Sequence, residues 1–140
     1  MIDFPEVLIH KIISYILLIK VKRDVTVKIG ALGIQTFPKG YYVYIGSGKK
    51  NLMERIKRHL GMKKKNFWHI DYLLTKKDVS ILDTYISEKS EKEIVNLLED
   101  LDNVEPSIIG FGSSDSKHRT HLFRFFNRDY ILNIIKGMES

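Results

Sequence analysis

A phenol, a guanidinium and an imidazole occur close together between Gly40 and His59, and all three groups suit work on a phosphate. Tyr44 lies in a run of β-forming residues that predicts a strand. A Gly-Ser-Gly turn follows, and apolar residues then recur at helical spacing. Arg55 and His59 are four residues apart, so they share one face of that helix. The predicted strand, turn and helix bring the three groups to one end of a sheet.

Each of these residues also has an ordinary structural explanation. Tyr42 and Tyr44 share one face of the predicted strand and could simply pack there, with their hydroxyls at the rim. Arg55 could be a solvated helix residue, although its guanidinium suits bidentate contact with a phosphate. His59 could be a hydrogen-bonded core residue. The spacing of His59 from Arg55 favours a functional role for both.

The charge of the chain favours an anionic partner. The 140 residues include 23 Lys and Arg against 17 Asp and Glu, a net charge of +6. Nucleic acid is the first candidate for such a protein, although a merely basic protein is an equally good explanation of the charge alone. A dense run of basic residues around the predicted helix indicates a patch that follows the phosphate backbone without reading sequence. Its members are Lys49, Lys50, Lys57, Arg58, Lys63, Lys64 and Lys65.

Length and composition exclude several classes. The chain has the size of one domain, so residues 1–140 are predicted to form a single domain. It contains no cysteine, which excludes disulfides, thiolate catalysis and zinc sites that need sulfur. The longest apolar run, Ile12 to Ile19, is too short to span a bilayer. The N-terminus does not resemble a signal peptide, so a cytoplasmic location is expected.

The order of the predicted elements indicates an α+β (mixed α/β) domain around one small sheet. Besides the central strand, strands are expected at 14–21, 25–29, 34–37, 79–85 and 121–125. The turn at 22–24 is expected to join the first two strands as a hairpin. Helices are expected at 67–74, after a capping box formed by Ser90 and Glu93, and at 130–135.

Three separated sequence blocks resemble the GIY-YIG nuclease superfamily. Residues 44–46, Tyr-Ile-Gly, look like its second signature. More of the chain is similar to one branch of that superfamily, a domain of unknown function found alone or fused to DNA-repair glycosylases. The blocks are residues 37–47, residues 68–74, and residues 110–115 with 121–123. The resemblance implies a small mixed sheet flanked by helices, with an N-terminal β-hairpin extension.

The resemblance also implies roles for individual residues in cutting phosphodiester bonds with one divalent cation. By position, Tyr15 stands for the tyrosine of the first signature and Tyr44 for that of the second. Arg55 would hold the scissile phosphate, and His59 would assist proton transfer or position a phosphate oxygen. Glu91 would hold Mg²⁺ or Mn²⁺, although capping of a helix start explains its carboxylate equally well.

The sequence departs from the superfamily at several points. The first signature, residues 13–15, lacks its leading glycine pair, and no residue corresponds clearly to a late asparagine of the nucleases. The branch usually has cysteines in the loop after Asp115, where Ser116 and His118 stand here. Asp115, His118 and His121 have the loose spacing of a second metal site or of a polar loop.

Three functions follow from these observations. The first is a metal-dependent endonuclease that hydrolyses DNA phosphodiester bonds, for example in DNA repair. The alternative is a non-catalytic nucleic-acid-binding module that retains the GIY-YIG fold. The third and least favoured is a protein-interaction or structural domain. DNA is expected as the partner in preference to RNA.

Overall fold

A computed structural model describes residues 14–47, 69–101, 103–108, 111 and 120–139. Within these ranges the chain forms a five-stranded sheet, a two-stranded ladder and three α-helices. The strands β1 to β7 are Ser14–Val21, Val25–Lys28, Ile34–Phe37, Gly40–Ser47, Val79–Ser87, Val104–Pro106 and Leu122–Phe125. The helices α1 to α3 are His69–Leu73, Glu91–Glu99 and Arg128–Glu139, and a 3₁₀ turn at Gly30–Leu32 links β2 to β3. The α+β fold class is therefore confirmed.

The main sheet has the strand order β5-β1-β4-β7-β6, and each of its described ladders is antiparallel. The expected mixed sheet, with both parallel and antiparallel strands, was therefore wrong for the described ladders. β1 lies between β5 and β4, and seven of its eight residues are buried. A continuous apolar run of this kind is typical of a strand covered on both faces.

The side chains of β1 and β4 alternate between two hydrophobic layers, because successive residues of a strand point to opposite faces. We call the layer that contains Tyr15, Tyr42 and Tyr44 the tyrosine face, and it packs against the β2–β3 hairpin and α1. The opposite layer, which we call the helix face, packs against α2 and α3. The sheet is thus covered on both sides.

The predicted hairpin between residues 14–21 and 25–29 was wrong. β1 pairs instead with β4 and β5, whereas β2 pairs with β3. The burial of β2 alternates between buried and exposed residues, so it suits a ladder with one exposed face. The backbone N–H of Lys39 donates to Asp24 Oδ1 at 2.8 Å and ties the two ends of this hairpin together. The β-hairpin extension is therefore formed by β2 and β3.

The helices follow local signals closely. Ser90 Oγ accepts a hydrogen bond from Glu93 N at 3.1 Å, and Glu93 Oε1 accepts one from Ser90 N at 3.5 Å, which confirms the capping box at the start of α2. α3 begins at Arg128 and ends at Glu139, so it extends beyond the predicted 130–135 at both ends. Strand β6 was not predicted. Among the described residues, no helix has both the length and the apolar character needed to cross a membrane.

Candidate functional site

The candidate site lies where β1 begins and β4 and β5 end. Ser14 is opposite Ser47 on one side and Ser87 on the other. Ser14 Oγ also donates a hydrogen bond to Lys89 O at 2.6 Å, in the connection that leads to α2. We call this end of the main sheet the tyrosine end, because Tyr15 is the second residue of β1 and its ring contacts that of Tyr44, which lies opposite Leu17 farther along the ladder.

Tyr15 and Tyr44 are neighbours in the core of the tyrosine face. Their ring centroids are 6.3 Å apart with an interplanar angle of 53°. The exposed fraction is 0% for Tyr15 and 2% for Tyr44, so both rings pack as ordinary core side chains do. Phe111 extends the cluster, with its ring 6.2 Å from Tyr44 and 5.6 Å from His69. The hydroxyl groups remain the only parts of these tyrosines that suit chemistry.

Glu91 lies at the same end of the sheet, as the first residue of α2. Its Oε2 is 3.4 Å from Nδ1 of His121, a side chain that is 2% exposed, whereas the Glu91 side chain is 32% exposed. The backbone of His121 is held on both sides, since its N–H donates to Phe111 O and its carbonyl accepts from Ile45 N. His121 is therefore a fixed neighbour of a partly exposed carboxylate.

The contact between His121 and Glu91 could not be predicted from the sequence. The two residues are 30 positions apart, and no local spacing links them. The sequence grouped His121 with Asp115 and His118, which both lie outside the described residues. Only the return of the chain into β7 brings His121 next to α2.

The tyrosines and Glu91 share one end of the sheet but lie in different layers. Tyr15 and Tyr44 belong to the tyrosine face, whereas α2 packs on the helix face through Ile94 and Val95. A phosphate that met both groups would therefore lie across the ends of the strands.

Glu91 can supply one carboxylate to a divalent cation. No group of three or more His, Cys, Asp or Glu side chains in the described parts of the chain is arranged to hold a metal. A cation at Glu91 would take its other ligands from water and phosphate, as Mg²⁺ commonly does. The contact with His121 Nδ1 engages Oε2 of this carboxylate.

The other predicted site residues, Arg55 and His59, lie outside the described residues, as do the basic residues Lys49, Lys50, Lys57, Arg58, Lys63, Lys64 and Lys65. The two residues that flank the stretch 48–68 are described. Ser47 ends β4 opposite Ser14, and the ring of His69 contacts that of Phe111. Residues 48–68 contain eight Lys and Arg against one Glu, so this stretch accounts for the positive charge of the whole protein.

The fold and the site define an α+β protein with an antiparallel sheet covered on both faces and with aromatic, imidazole and carboxylate groups gathered at one end. The chain belongs to the family described as domain of unknown function DUF123, whose family model matches residues 14–140. No curated protein and no solved structure matches the chain.

Proposed function

We propose that this protein is a metal-dependent endonuclease that hydrolyses DNA phosphodiester bonds at the tyrosine end of its main sheet. The observation that carries the proposal is that Tyr15 and Glu91 lie at the same end of the sheet, where the ring of Tyr15 contacts that of Tyr44. These are the described residues to which the resemblance to GIY-YIG nucleases assigns catalytic or metal-binding roles. Glu91 is 76 positions from Tyr15 and 47 from Tyr44, so their common location is a property of the fold.

The proposed mechanism is attack by water on the phosphorus. Arg55 would hold the phosphate through its planar guanidinium. The phenolate of Tyr44, with Tyr15 or His59, would accept the proton of the attacking water as the bond between phosphorus and the leaving oxygen breaks. A tyrosine is a phenolate at neutral pH only beside a positive charge, which Arg55 or the metal would supply. Glu91 would hold Mg²⁺ or Mn²⁺, which supplies stabilisation of the negative charge on the leaving oxygen when bound.

The distribution of charge supports a nucleic-acid substrate. Ser47 ends β4 at the tyrosine end, and the sequence that follows it, residues 48–68, carries eight Lys and Arg against one Glu. Binding through such a stretch follows the phosphate backbone and weakens as salt is added. A role in DNA repair and a cytoplasmic location complete the proposal, and the absence of cysteine suits a reducing compartment.

The second candidate function is nucleic-acid binding without catalysis. Burial favours it, because packing alone accounts for Tyr15 and Tyr44. The contact between Glu91 and His121 and the position of Glu91 at a helix start likewise account for the carboxylate without a metal.

A nicking assay on branched and linear DNA, with Mg²⁺, with Mn²⁺ and with chelator, separates the two functions. We expect cleavage only with a cation, and a loss on the order of a hundredfold in Arg55→Ala and in Glu91→Gln. Glu88→Gln is the matched control, since it removes an exposed carboxylate three residues away and should leave cleavage unchanged.

The outcomes of this assay are distinct. Cleavage that survives both Arg55→Ala and Glu91→Gln would overturn the assignment of the site. DNA binding with no cleavage under any cation would leave the binding module as the function. Binding that is absent, or that does not respond to salt, would contradict both.

A further inference from the structure

A pocket opens at the opposite end of the main sheet from the tyrosine end. Its volume is about 250 Å³, and three segments line it. These are residues 20–22 at the end of β1, residues 39–41 at the start of β4, and residues 124–126 at the end of β7. We call this site the basic pocket.

The basic pocket is rich in positive charge. Four cationic side chains line it, namely Lys20, Lys22, Lys39 and Arg124. Two carboxylates lie nearby. Glu105 Oε2 is 3.9 Å from Arg124 Nη1, and the Glu105 side chain is 57% exposed. Asp24 accepts a hydrogen bond from the backbone N–H of Lys39. Since the cations outnumber the neighbouring acids, the pocket favours an anionic ligand.

Three aromatic residues line the basic pocket, namely Tyr41, Phe125 and Phe126, and two of them lie beside cations. Phe126 is 61% exposed, and the guanidinium of Arg124 lies 4.9 Å from its ring centroid. The ammonium of Lys20 lies 6.0 Å from the ring centroid of Tyr41. Exposed aromatic faces beside cations are the combination on which unpaired bases stack while their phosphates are neutralised.

The rim of the basic pocket is held in place by the core. Arg124 Nη2 donates a hydrogen bond to Lys39 O at 2.9 Å, and the buried Tyr42 donates its hydroxyl hydrogen to Pro38 O at 2.5 Å. Gly40, with φ +150°, leaves room for the guanidinium, because a Cβ there would stand 3.2 Å from Arg124 Nε. The turn that carries Lys39 is therefore ordered before a ligand arrives, which lowers the entropic cost of binding.

We infer that the basic pocket binds single-stranded nucleic acid, with phosphates against Lys20, Lys22 and Lys39 and an unpaired base on the ring of Phe126. The inference rests on the proposed function only in taking nucleic acid as the ligand, and it adds a site that the resemblance does not assign.

The separation of the two sites sets the length of the ligand. Tyr15 and Val21 are six residues apart along β1, which corresponds to about 20 Å at a rise of about 3.3 Å per residue. A strand stacked as in B-form DNA rises about 3.4 Å per nucleotide and covers this distance in about six nucleotides, whereas an extended strand needs fewer.

Two triple variants of equal charge test the inference. Lys20→Ala/Lys22→Ala/Lys39→Ala removes the lysines of the basic pocket. Its matched control removes three exposed lysines elsewhere, namely Lys28, Lys92 and Lys136, each replaced by alanine. Fluorescence anisotropy measures the affinity for a labelled single strand across a salt series. The strand has about twelve nucleotides, which span both sites even when stacked at about 3.4 Å per nucleotide.

We expect the pocket triple variant to lose on the order of tenfold to a hundredfold in affinity and its salt slope to fall by about two, whereas the matched control changes much less. Phe126→Ala should weaken binding about fivefold or more, and Phe126→Tyr, which keeps the ring, should restore it. Circular dichroism and thermal unfolding check that each variant folds. Phe126→Ala, at an exposed side chain, keeps the inference testable if the triple variant does not fold.

The failures are distinguishable. Equal losses in the two triple variants, or unchanged binding in Phe126→Ala, would overturn the basic pocket while wild-type binding and cleavage still supported the proposed function. A stronger affinity for duplex than for single strand would also overturn it. Absence of binding by the wild-type protein would overturn both proposals.

Discussion

The phenol ring of Tyr15 occupies the space that a side chain at Gly46 would need. The two residues are directly opposite each other in the β1–β4 ladder. A Cβ at Gly46 would collide with Cζ and with the hydroxyl oxygen of Tyr15, which is fully buried. The glycine of the Tyr-Ile-Gly sequence therefore has a structural reason within the protein itself. Packing against Tyr15 is sufficient to explain this glycine.

Gly46→Ala is expected to destabilise the protein by about 1–3 kcal/mol, because a buried ring and two central strands must shift to accept one methyl group. Urea denaturation measures the free energy of unfolding. Gly137→Ala in α3 is the matched control, since its Cβ meets nothing within 4 Å, and it should stabilise the helix by up to about 1 kcal/mol. In a double variant with Tyr15→Leu, the cost of Gly46→Ala should shrink. Equal costs in the two backgrounds would contradict the contact.

Tyr42 predicts a loss of stability at alkaline pH. Burial raises its pKa from 10.0 to about 12, and Asp24 and Glu105 add to the rise while Arg124 opposes it. The folded protein therefore holds the phenol proton more tightly than the unfolded chain. The resulting contribution to the free energy of unfolding is about 2–3 kcal/mol. It is fully present below pH 10 and is lost as the pH rises to about 12.

Denaturation of the wild-type protein and of Tyr42→Phe across this pH range isolates the contribution, because the other tyrosines titrate in both proteins. Tyr42→Phe should be less stable by about 1 kcal/mol at neutral pH, since Pro38 O loses its hydrogen bond. The difference between the two proteins should shrink and then reverse as the pH approaches 12. A constant difference would show that Tyr42 ionises equally easily in the folded and unfolded states.

Ser90→Ala is expected to destabilise the protein by about 1 kcal/mol, because the N–H of Glu93 loses the hydroxyl that caps α2. Ser90→Asp keeps an acceptor at the same position and should retain most of the stability. Ser80→Ala, at an exposed position of β5, controls for removal of a serine hydroxyl. Thermal unfolding ranks the four proteins. A loss in Ser80→Ala equal to that in Ser90→Ala would contradict the capping explanation.

His121 is expected to orient Glu91 for a cation. Replacing the imidazole by the apolar ring in His121→Phe removes the contact to Oε2 and should weaken binding of Mn²⁺ by about tenfold or more, as loss of a supporting contact commonly does. Isothermal titration calorimetry measures the affinity directly. Glu91→Gln should lower it further, and Glu88→Gln should leave it unchanged. Equal affinities for wild type and His121→Phe would limit His121 to a packing role.

Local patterns in the sequence were sufficient for several elements. The bounds of β1 and β3 agree with prediction, and the capping box placed the start of α2, because these signals depend on neighbouring residues alone. The positions of Tyr15 near the start of β1 and of Tyr44 within β4 were accessible in the same way. β6, with three residues ending at Pro106, carries too weak a signal of this kind.

Tertiary structure decided which elements meet. The sequence joined β1 to β2 because they are adjacent in the chain, whereas β1 needs a partner on each edge and finds β4 and β5 across long stretches of chain. The same fold placed Glu91 beside His121. It also placed α2, which begins at Glu91, on the helix face of the sheet, opposite the tyrosine face that contains Tyr44. Such contacts depend on which apolar faces bury each other, and spacing along the chain does not encode that choice. The sequence by itself determined the central strand and the chemistry of the side chains, although β4 continues through Gly46 and Ser47, where a turn was predicted. Only the fold determined the neighbours of these side chains.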